Sequence, residues 1–278
     1  MADRTQDDTA ITLQGAEIPR LGYGTWLVTG RDATDGVRDA LEIGYRHIDT
    51  ARAYENEAEV GAGIAASDVD RDHIWLTTKI WIEDFAADDL KAATEDSLRK
   101  LRTDRLDLLL LHWPSPDVPL ERTLEAMREL QEAERIRYAG VSNFPAGMLA
   151  RALDITPLLA DQVEYHPFLA QDELLELVRD RDMTLTAYSP LAHGKVPGDP
   201  ELSAIGDQYG KSAGQVALRW LLDQPNVTTL PKASSHERRA ENFDVFDFTL
   251  SDADRDRIAA LPKDVRTADP SWAPDWDD

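Results

Sequence analysis

Four ionisable residues stand where strand-like runs end. Asp49 closes the short run HIDT (47–50), Lys79 lies at the end of HIWLTTKI (73–80), and His112 ends RLDLLLLHW (105–113). Tyr54 follows Asp49 by a few residues. A carboxylate, an ammonium group, an imidazole and a phenol are groups from which acid–base chemistry is built. Taken singly, each has an ordinary explanation. An aspartate after a strand caps a turn, a lysine there is solvated, and a histidine before Trp-Pro packs with its nitrogens hydrogen-bonded. Their placement at successive strand ends is what distinguishes them. If the strands lie parallel and side by side, all four open onto one pocket.

The elements that would position them follow one after another. TLQGAEIPRLG (12–22) reads as a hairpin and YGTWLV (23–28) as an apolar run. Strands are predicted at 47–50, 73–80, 105–113, 138–144, 160–167, 184–190 and 227–234. Amphipathic helices are predicted at 32–44, 55–67, 87–101, 120–136, 145–153, 171–182, 203–223, 235–246 and 251–262. The strand 105–113 is apolar on both faces, as a buried parallel strand requires. The count comes to about eight strand–helix units, which suits a closed (β/α)8 TIM barrel better than an open doubly wound sheet. The N-terminal β-hairpin and extra C-terminal helices would be additions to it. No GxGxxG motif follows the first strand, which disfavours a dinucleotide-binding open sheet. No linker or composition shift interrupts 1–278, so one domain is expected, with a polar segment at 1–10 and an irregular tail at 264–278.

Composition excludes several functions. The net charge is -23, from 53 acidic and 30 basic residues, and such a surface repels nucleic acid and anionic lipid. Arginine outnumbers lysine and the acids are spread along the chain, a pattern that reads as adaptation to high salt rather than as a surface for a basic partner. Without cysteine there is no disulfide, thiolate or cysteine-bound metal. His47, His73, His166, His193 and His236 lack metal-ligand spacing, so no metal is expected. The start MADRTQDDTA is polar and acidic, unlike a signal peptide, and no apolar run reaches the roughly 18 residues of a membrane span. A cytoplasmic protein of a halophile is the expectation.

Longer motifs add a resemblance. GYRHIDTARAYENEAEVG (44–61), LRKLRTDRLDLLLLHWP (98–114) and LPKASSHERRAEN (230–242) are similar to the three signatures of the aldo-keto reductase family. TKIW (78–81), GVSNF (140–144), QVEYHP (162–167) and AYSPL (187–191) match in the family's order, so the resemblance runs from about residue 12 to 262. It implies a catalytic tetrad of Asp49, Tyr54, Lys79 and His112 that reduces aldehydes and ketones. Tyr54 would give the proton, made more acidic by the Lys79 cation. Asp49 would hold Lys79 charged and aimed, and His112 would orient the carbonyl oxygen. Related reductases of carbon–carbon double bonds carry glutamate at the place of His112, so histidine points to carbonyls.

The resemblance also implies a nicotinamide cofactor. Thr25, Ser142, Asn143 and Gln162 fall at positions that hold the nicotinamide end, and Tyr188 at that of the ring stacked upon it. Ser189, Leu191 and Lys195 would meet the pyrophosphate. Lys232, Ser234, Arg238, Glu241 and Asn242 resemble the adenosine-phosphate pocket, and a lysine with an arginine suits a 2′-phosphate, hence NADPH. Ala233 stands where many relatives have a hydroxyl, which leaves room for NADH. Trp26, Trp81 and Trp113 resemble pocket-lining aromatics, and Trp272 and Trp276 of the tail are placed to close part of the cleft. The partner is then a small carbonyl compound, and a monomer is expected. Two rivals remain at this point. One is a cofactor-binding regulatory subunit without significant turnover. The other is a barrel aldolase using Lys79 as a Schiff base, which Asp49 disfavours by keeping the amine charged.

Overall fold

The computed structural model describes residues 9–115 and 117–277. Most of the polar segment at 1–10 and the last residue of the tail therefore lie outside the described residues. The chain opens with an antiparallel hairpin, β1 (Ala10–Leu13) and β2 (Ala16–Pro19). Eight parallel strands follow: β3 (Tyr23–Gly24), β4 (His47–Asp49), β5 (Trp75–Ile80), β6 (Leu106–Leu111), β7 (Ile136–Ser142), β8 (Ala160–Glu164), β9 (Thr184–Tyr188) and β10 (Val227–Leu230). Each pairs with its sequence neighbours. A parallel bridge between Leu21 and Thr229 joins the first strand to the last. This is the (β/α)8 barrel with an N-terminal hairpin that the alternation predicts. Closure demands close approach at the short first strand. A Cβ at Gly22 would stand 2.5 Å from a Leu230 methyl and 2.9 Å from the His47 ring, so only glycine fits.

Helices α1 (Gly30–Ile43), α2 (Glu57–Ala65), α3 (Ala87–Leu101), α4 (Leu120–Glu132), α5 (Ala146–Ile155) and α6 (Asp172–Asp180) surround the strands. They are followed by α7 (Pro200–Tyr209), α8 (Ala213–Leu222), α9 (His236–Phe243) and α10 (Asp252–Ala259). Three expectations are corrected. The single helix at 203–223 is two, because Gly210 adopts φ 65 and ends α7, and Ser212 starts α8 with a capping box. The helix predicted at 120–136 stops at Glu132, and Ile136 already belongs to β7. Of the apolar run at 23–28, only Tyr23–Gly24 is strand; Leu27 turns with φ 58.

The barrel wall separates two apolar clusters. Leu109, Leu111, Ile48, Leu76, Val141 and Leu185 face outward and pack in the large cluster that includes the helices. Leu108, Leu110, Trp75 and Ala160 face inward and pack with Leu13, Ala16 and Ile18 of the hairpin, which plugs the barrel floor. Strand alternation therefore places Lys79, His112 and Gln162 on the same inner face, nearer the opposite end. The apolar floor sits beneath the polar mouth.

Because Leu110 is fully buried in that floor, Leu110→Ala should lower unfolding free energy by about 2–5 kcal/mol. Leu27→Ala, at a side chain 68% exposed, should stay within about 0.5 kcal/mol. Urea unfolding midpoints in molar salt check both. Equal effects would disprove a packed floor.

Candidate active site

The mouth is built around a buried ammonium group. Lys79 donates to Asp49 Oδ1 at 2.5 Å and to the Thr50 carbonyl at 2.8 Å, and its Nζ lies 3.3 Å from the Tyr54 hydroxyl. Lys79 and Asp49 are both buried. Tyr54 rides on a short 3-10 turn, Arg52–Tyr54, after β4. The His112 ring stands edge-on to Tyr54, with centroids 5.6 Å apart. The four predicted residues thus meet at one point, from β4, the turn after it, β5 and the end of β6.

Electrostatics corrects one expectation. Lys79 was expected to lower the Tyr54 pKa. The phenol keeps part of its surface open to the cleft, yet burial first, and then the Asp49 charge, push it well above 10.0. Lys79 at 3.3 Å does not reverse that. Burial also pulls Lys79 below its ordinary value, while Asp49 pulls it back up. Burial, then the Lys79 cation, holds His112 well below 6.5. At neutral pH the phenol therefore carries its proton and the imidazole is neutral. His112 Nδ1 is buried without a hydrogen-bond partner among the described residues. The Tyr54 hydroxyl, which accepts from Lys79, keeps its own proton to donate.

From Asp49 a polar shelf extends across the mouth. Gln162 donates to Asp49 Oδ2 at 2.8 Å. The Gln162 carbonyl accepts from the Ser142 hydroxyl at 2.7 Å and the Asn143 N–H at 3.0 Å. Asn143 adopts φ 63, as asparagine tolerates, and donates through Nδ2 to the His112 carbonyl at 3.0 Å. Tyr188 donates to Asn143 Oδ1 at 2.7 Å and keeps its ring half-buried. Thr25, at the end of β3, donates to the Asp49 carbonyl at 2.9 Å. Ser189, at φ 48, meets the His193 ring at 3.0 Å, with Leu191 half-buried and Lys195 exposed in the loop beyond.

The residues expected to hold the adenosine phosphate lie after β10 and on α9. Lys232 donates to the Ser234 hydroxyl at 3.0 Å. Arg238 and Glu241 are exposed and Asn242 is buried. Neither Lys232 nor Arg238 forms an ion pair among the described residues.

The tryptophans divide. Trp81 stands edge-on to His112 at 5.0 Å, and the tail's Trp272 packs on Trp81 at 5.7 Å and Trp113 at 4.9 Å. Trp276 meets Trp113 at 6.0 Å. Trp26 does not join them; it is 45% exposed and stacks on His193 at 5.5 Å, beside the loop that carries Lys195.

Two residues escaped the sequence reading. Asn56 is buried and holds the loop after β3 by donating to the Thr25 and Val28 carbonyls, while accepting from Thr50. Glu164 accepts from backbone N–H groups of Thr267 and Ala268 at 2.8–2.9 Å. Alternation from Gln162 was the available signal for Glu164, since it points the same way into the mouth. Among the described residues, no group of three or more His, Asp or Glu is placed to hold a metal ion, and no helix is long and apolar enough to cross a membrane.

Comparison with known proteins agrees with this architecture. A model of the Aldo/keto reductase family matches residues 20–263. Glyoxal reductase of Bacillus subtilis is 42% identical over 263 residues, covering 93% of this chain and 94% of that one. Methylglyoxal reductase DkgB of Escherichia coli is 35% identical, covering 94% of this chain and 99% of its own. A crystal structure of a putative 2,5-diketo-D-gluconic acid reductase B superposes with a TM-score of 0.95 at 43% identity, covering 97% of this chain and 98% of that chain. The chain belongs to the aldo/keto reductase family, and it is an oxidoreductase that reduces carbonyl groups. The regulatory-subunit reading finds no support among these reductases.

The raised Tyr54 value keeps the phenol protonated until pH exceeds the ordinary 10.0. The kcat/KM for a carbonyl should therefore show no tyrosine-linked loss between about pH 6 and 9. A fall centred near about pH 8 would show that the phenol is acidified after all.

Proposed function

We propose that this protein reduces aldehydes and ketones to alcohols with NADPH, and that Tyr54 delivers the proton. The observation that carries the reading is the buried cluster in which Lys79 Nζ lies 3.3 Å from the Tyr54 hydroxyl, with His112 edge-on to the same ring. The neutral His112 imidazole donates an N–H to the carbonyl oxygen and aligns it with the phenol. Tyr54 gives its proton to the developing alkoxide, which is far more basic than a phenolate. Lys79 steadies the phenolate so formed, and Asp49 holds Lys79 in place. A nicotinamide held by Ser142, Asn143 and Gln162 would supply the hydride when bound.

The cleft's chemistry suits that cofactor. Ser142, Asn143 and Gln162 present amide and hydroxyl groups on one shelf, fit for a carboxamide, beside the half-buried Tyr188 ring. Thr25 stands beside that shelf through its hydrogen bond to the Asp49 carbonyl, and Ser189, Leu191 and Lys195 would meet the pyrophosphate. Lys232 and Arg238, with Ser234, Glu241 and Asn242, receive the adenosine phosphate. In a chain of net charge -23, two exposed cations without ion pairs favour a 2′-phosphate. Ala233 lacks a hydroxyl, but its carbonyl is held by the Tyr23 hydroxyl at 3.1 Å and by Arg239 at 3.3 Å. The segment keeps its shape, and NADH is accepted less well.

Acceptors are small aldehydes and dicarbonyls, the class named by the glyoxal and methylglyoxal reductases it resembles. Trp81 and Trp113 line the pocket. The protein works as a monomer in the cytoplasm of a halophile, where concentrated salt screens its acidic surface.

Tyr54→Phe should cut NADPH-dependent reduction by about a thousandfold while NADPH binding by fluorescence titration changes less than about threefold. Near-normal turnover would remove Tyr54 from the proton-donor role. Lys232→Ala should weaken NADPH about ten- to hundredfold yet leave NADH within about threefold. Parallel titrations with both cofactors decide this, and an equal loss for both would refute a 2′-phosphate contact. Thermal stability should rise steeply from low to molar salt, and a flat dependence would count against the halophilic reading.

A further inference from the structure

The C-terminal segment carries Trp272 and Trp276 to the pocket, and its polar ties to the barrel can be followed residue by residue. Lys263 donates to the Pro167 carbonyl at 2.6 Å, and Val265 N–H to the Phe168 carbonyl at 2.9 Å. Next come Thr267 and Ala268. Thr267 N–H lies 2.9 Å from both Glu164 oxygens, Ala268 N–H lies 2.8 Å from Glu164 Oε2, and the Thr267 hydroxyl also donates to Glu164. His166 Nε2 completes the set at 3.0 Å. Two successive backbone N–H groups form an anion-binding concavity, and its anion is the protein's own carboxylate. Burial alone would raise Glu164, but the hydrogen bonds from His166, Thr267 and Ala268 outweigh it and bring the group to about 2.

Beyond Ala268 the pattern changes. Among the described residues, the later hydrogen bonds of this segment are internal, from Ala273 N–H to the Pro270 carbonyl, from Trp276 to Asp269 and from Asp277 to Asp275. Ring contacts on Trp81 and Trp113 hold Trp272 and Trp276 to the barrel. Arg266 adds to the stack, its guanidinium 3.8 Å from the Trp276 ring. Glu164 is thus the last polar anchor before the outer aromatic wall. It also pairs in register with Tyr188, so one strand end carries both the wall and the ring beside the shelf.

We infer that Glu164 is a positioning residue that sets the acceptor range. Its buried carboxylate latches Thr267 and Ala268, and the latched segment holds Trp272 and Trp276 over the carbonyl pocket. Acceptors large enough to reach that wall depend on the latch, whereas a small dicarbonyl held at Tyr54 and His112 does not. The inference rests on the carbonyl-reductase reading, and the small substrate tests that reading separately.

Glu164→Gln keeps the shape and removes the charge. Trypsin should cut after Arg266 about tenfold faster or more, because each lost charge-assisted bond is worth about that factor. KM for a bulky aromatic aldehyde should rise about tenfold with kcat within about twofold. Methylglyoxal kinetics should stay within about twofold on both parameters. Thr267→Val, which removes only the hydroxyl arm, should move cleavage and KM in the same direction by less. A chain ending at Arg266 should show the raised aromatic KM already, and Glu164→Gln should add nothing to it. The inference is overturned if Glu164→Gln frees the segment without changing aromatic KM, or if it raises KM in the shortened chain. Should Glu164→Gln fail to fold, unchanged cleavage and KM in Thr267→Val overturn it instead. No methylglyoxal turnover in the unaltered protein would point to failure of the underlying function, not of the latch.

Discussion

The ammonium group of Lys79 is buried in the barrel mouth, and the arrangement of the site follows from that charge. An ion removed from water costs several kcal/mol unless it is paired and its protons are satisfied. Asp49 at 2.5 Å supplies the charge, and the Thr50 carbonyl at 2.8 Å satisfies a second proton. The third direction points to the Tyr54 hydroxyl. Asp49 in turn has a second oxygen to satisfy, and Gln162 fills it. Gln162 then holds Ser142 and Asn143, and Asn143 holds both His112's carbonyl and the Tyr188 hydroxyl. One charge, compensated step by step, fixes the shelf from β4 across to β9.

The same burial decides which proton forms are present. Water is displaced from Tyr54 and His112 together, so the phenol stays protonated and the imidazole stays neutral. Each then carries a proton it can donate in a hydrogen bond. Far from this site, at α9, the opposite condition holds. Lys232 and Arg238 stand exposed on an acidic surface, without an ion pair among the described residues, where a salt bridge would add little to stability. The apolar floor of Leu108, Leu110 and the hairpin supports the mouth from below.

Much of this was legible in the residues themselves. Runs such as LDLLLL can be buried on both faces only in a covered parallel sheet, and eight of them separated by amphipathic helices imply closure. The period of two then places Asp49, Lys79, His112 and Gln162 on the inner face. Other features were not legible, for definable reasons. Gly210 breaks a helix whose apolar pattern continues past it, because local backbone conformation overrides periodicity. Trp26 sits at a strand end like the other tryptophans, but its ring stacks on His193, a neighbour brought there by a loop with three non-glycine residues at positive φ.

Sequence alone determined the barrel and the order in which its strands present Asp49, Lys79 and His112 at one end. These depend on side-chain type and alternation, which are local properties. Tertiary structure alone decided the direction of the Tyr54 pKa, since that is a contest between burial and two nearby charges that only coordinates can weigh. It also decided the role of Glu164. Its partners Thr267 and Ala268 lie more than a hundred residues away, and no periodicity links a strand residue to the backbone N–H groups of a distant tail.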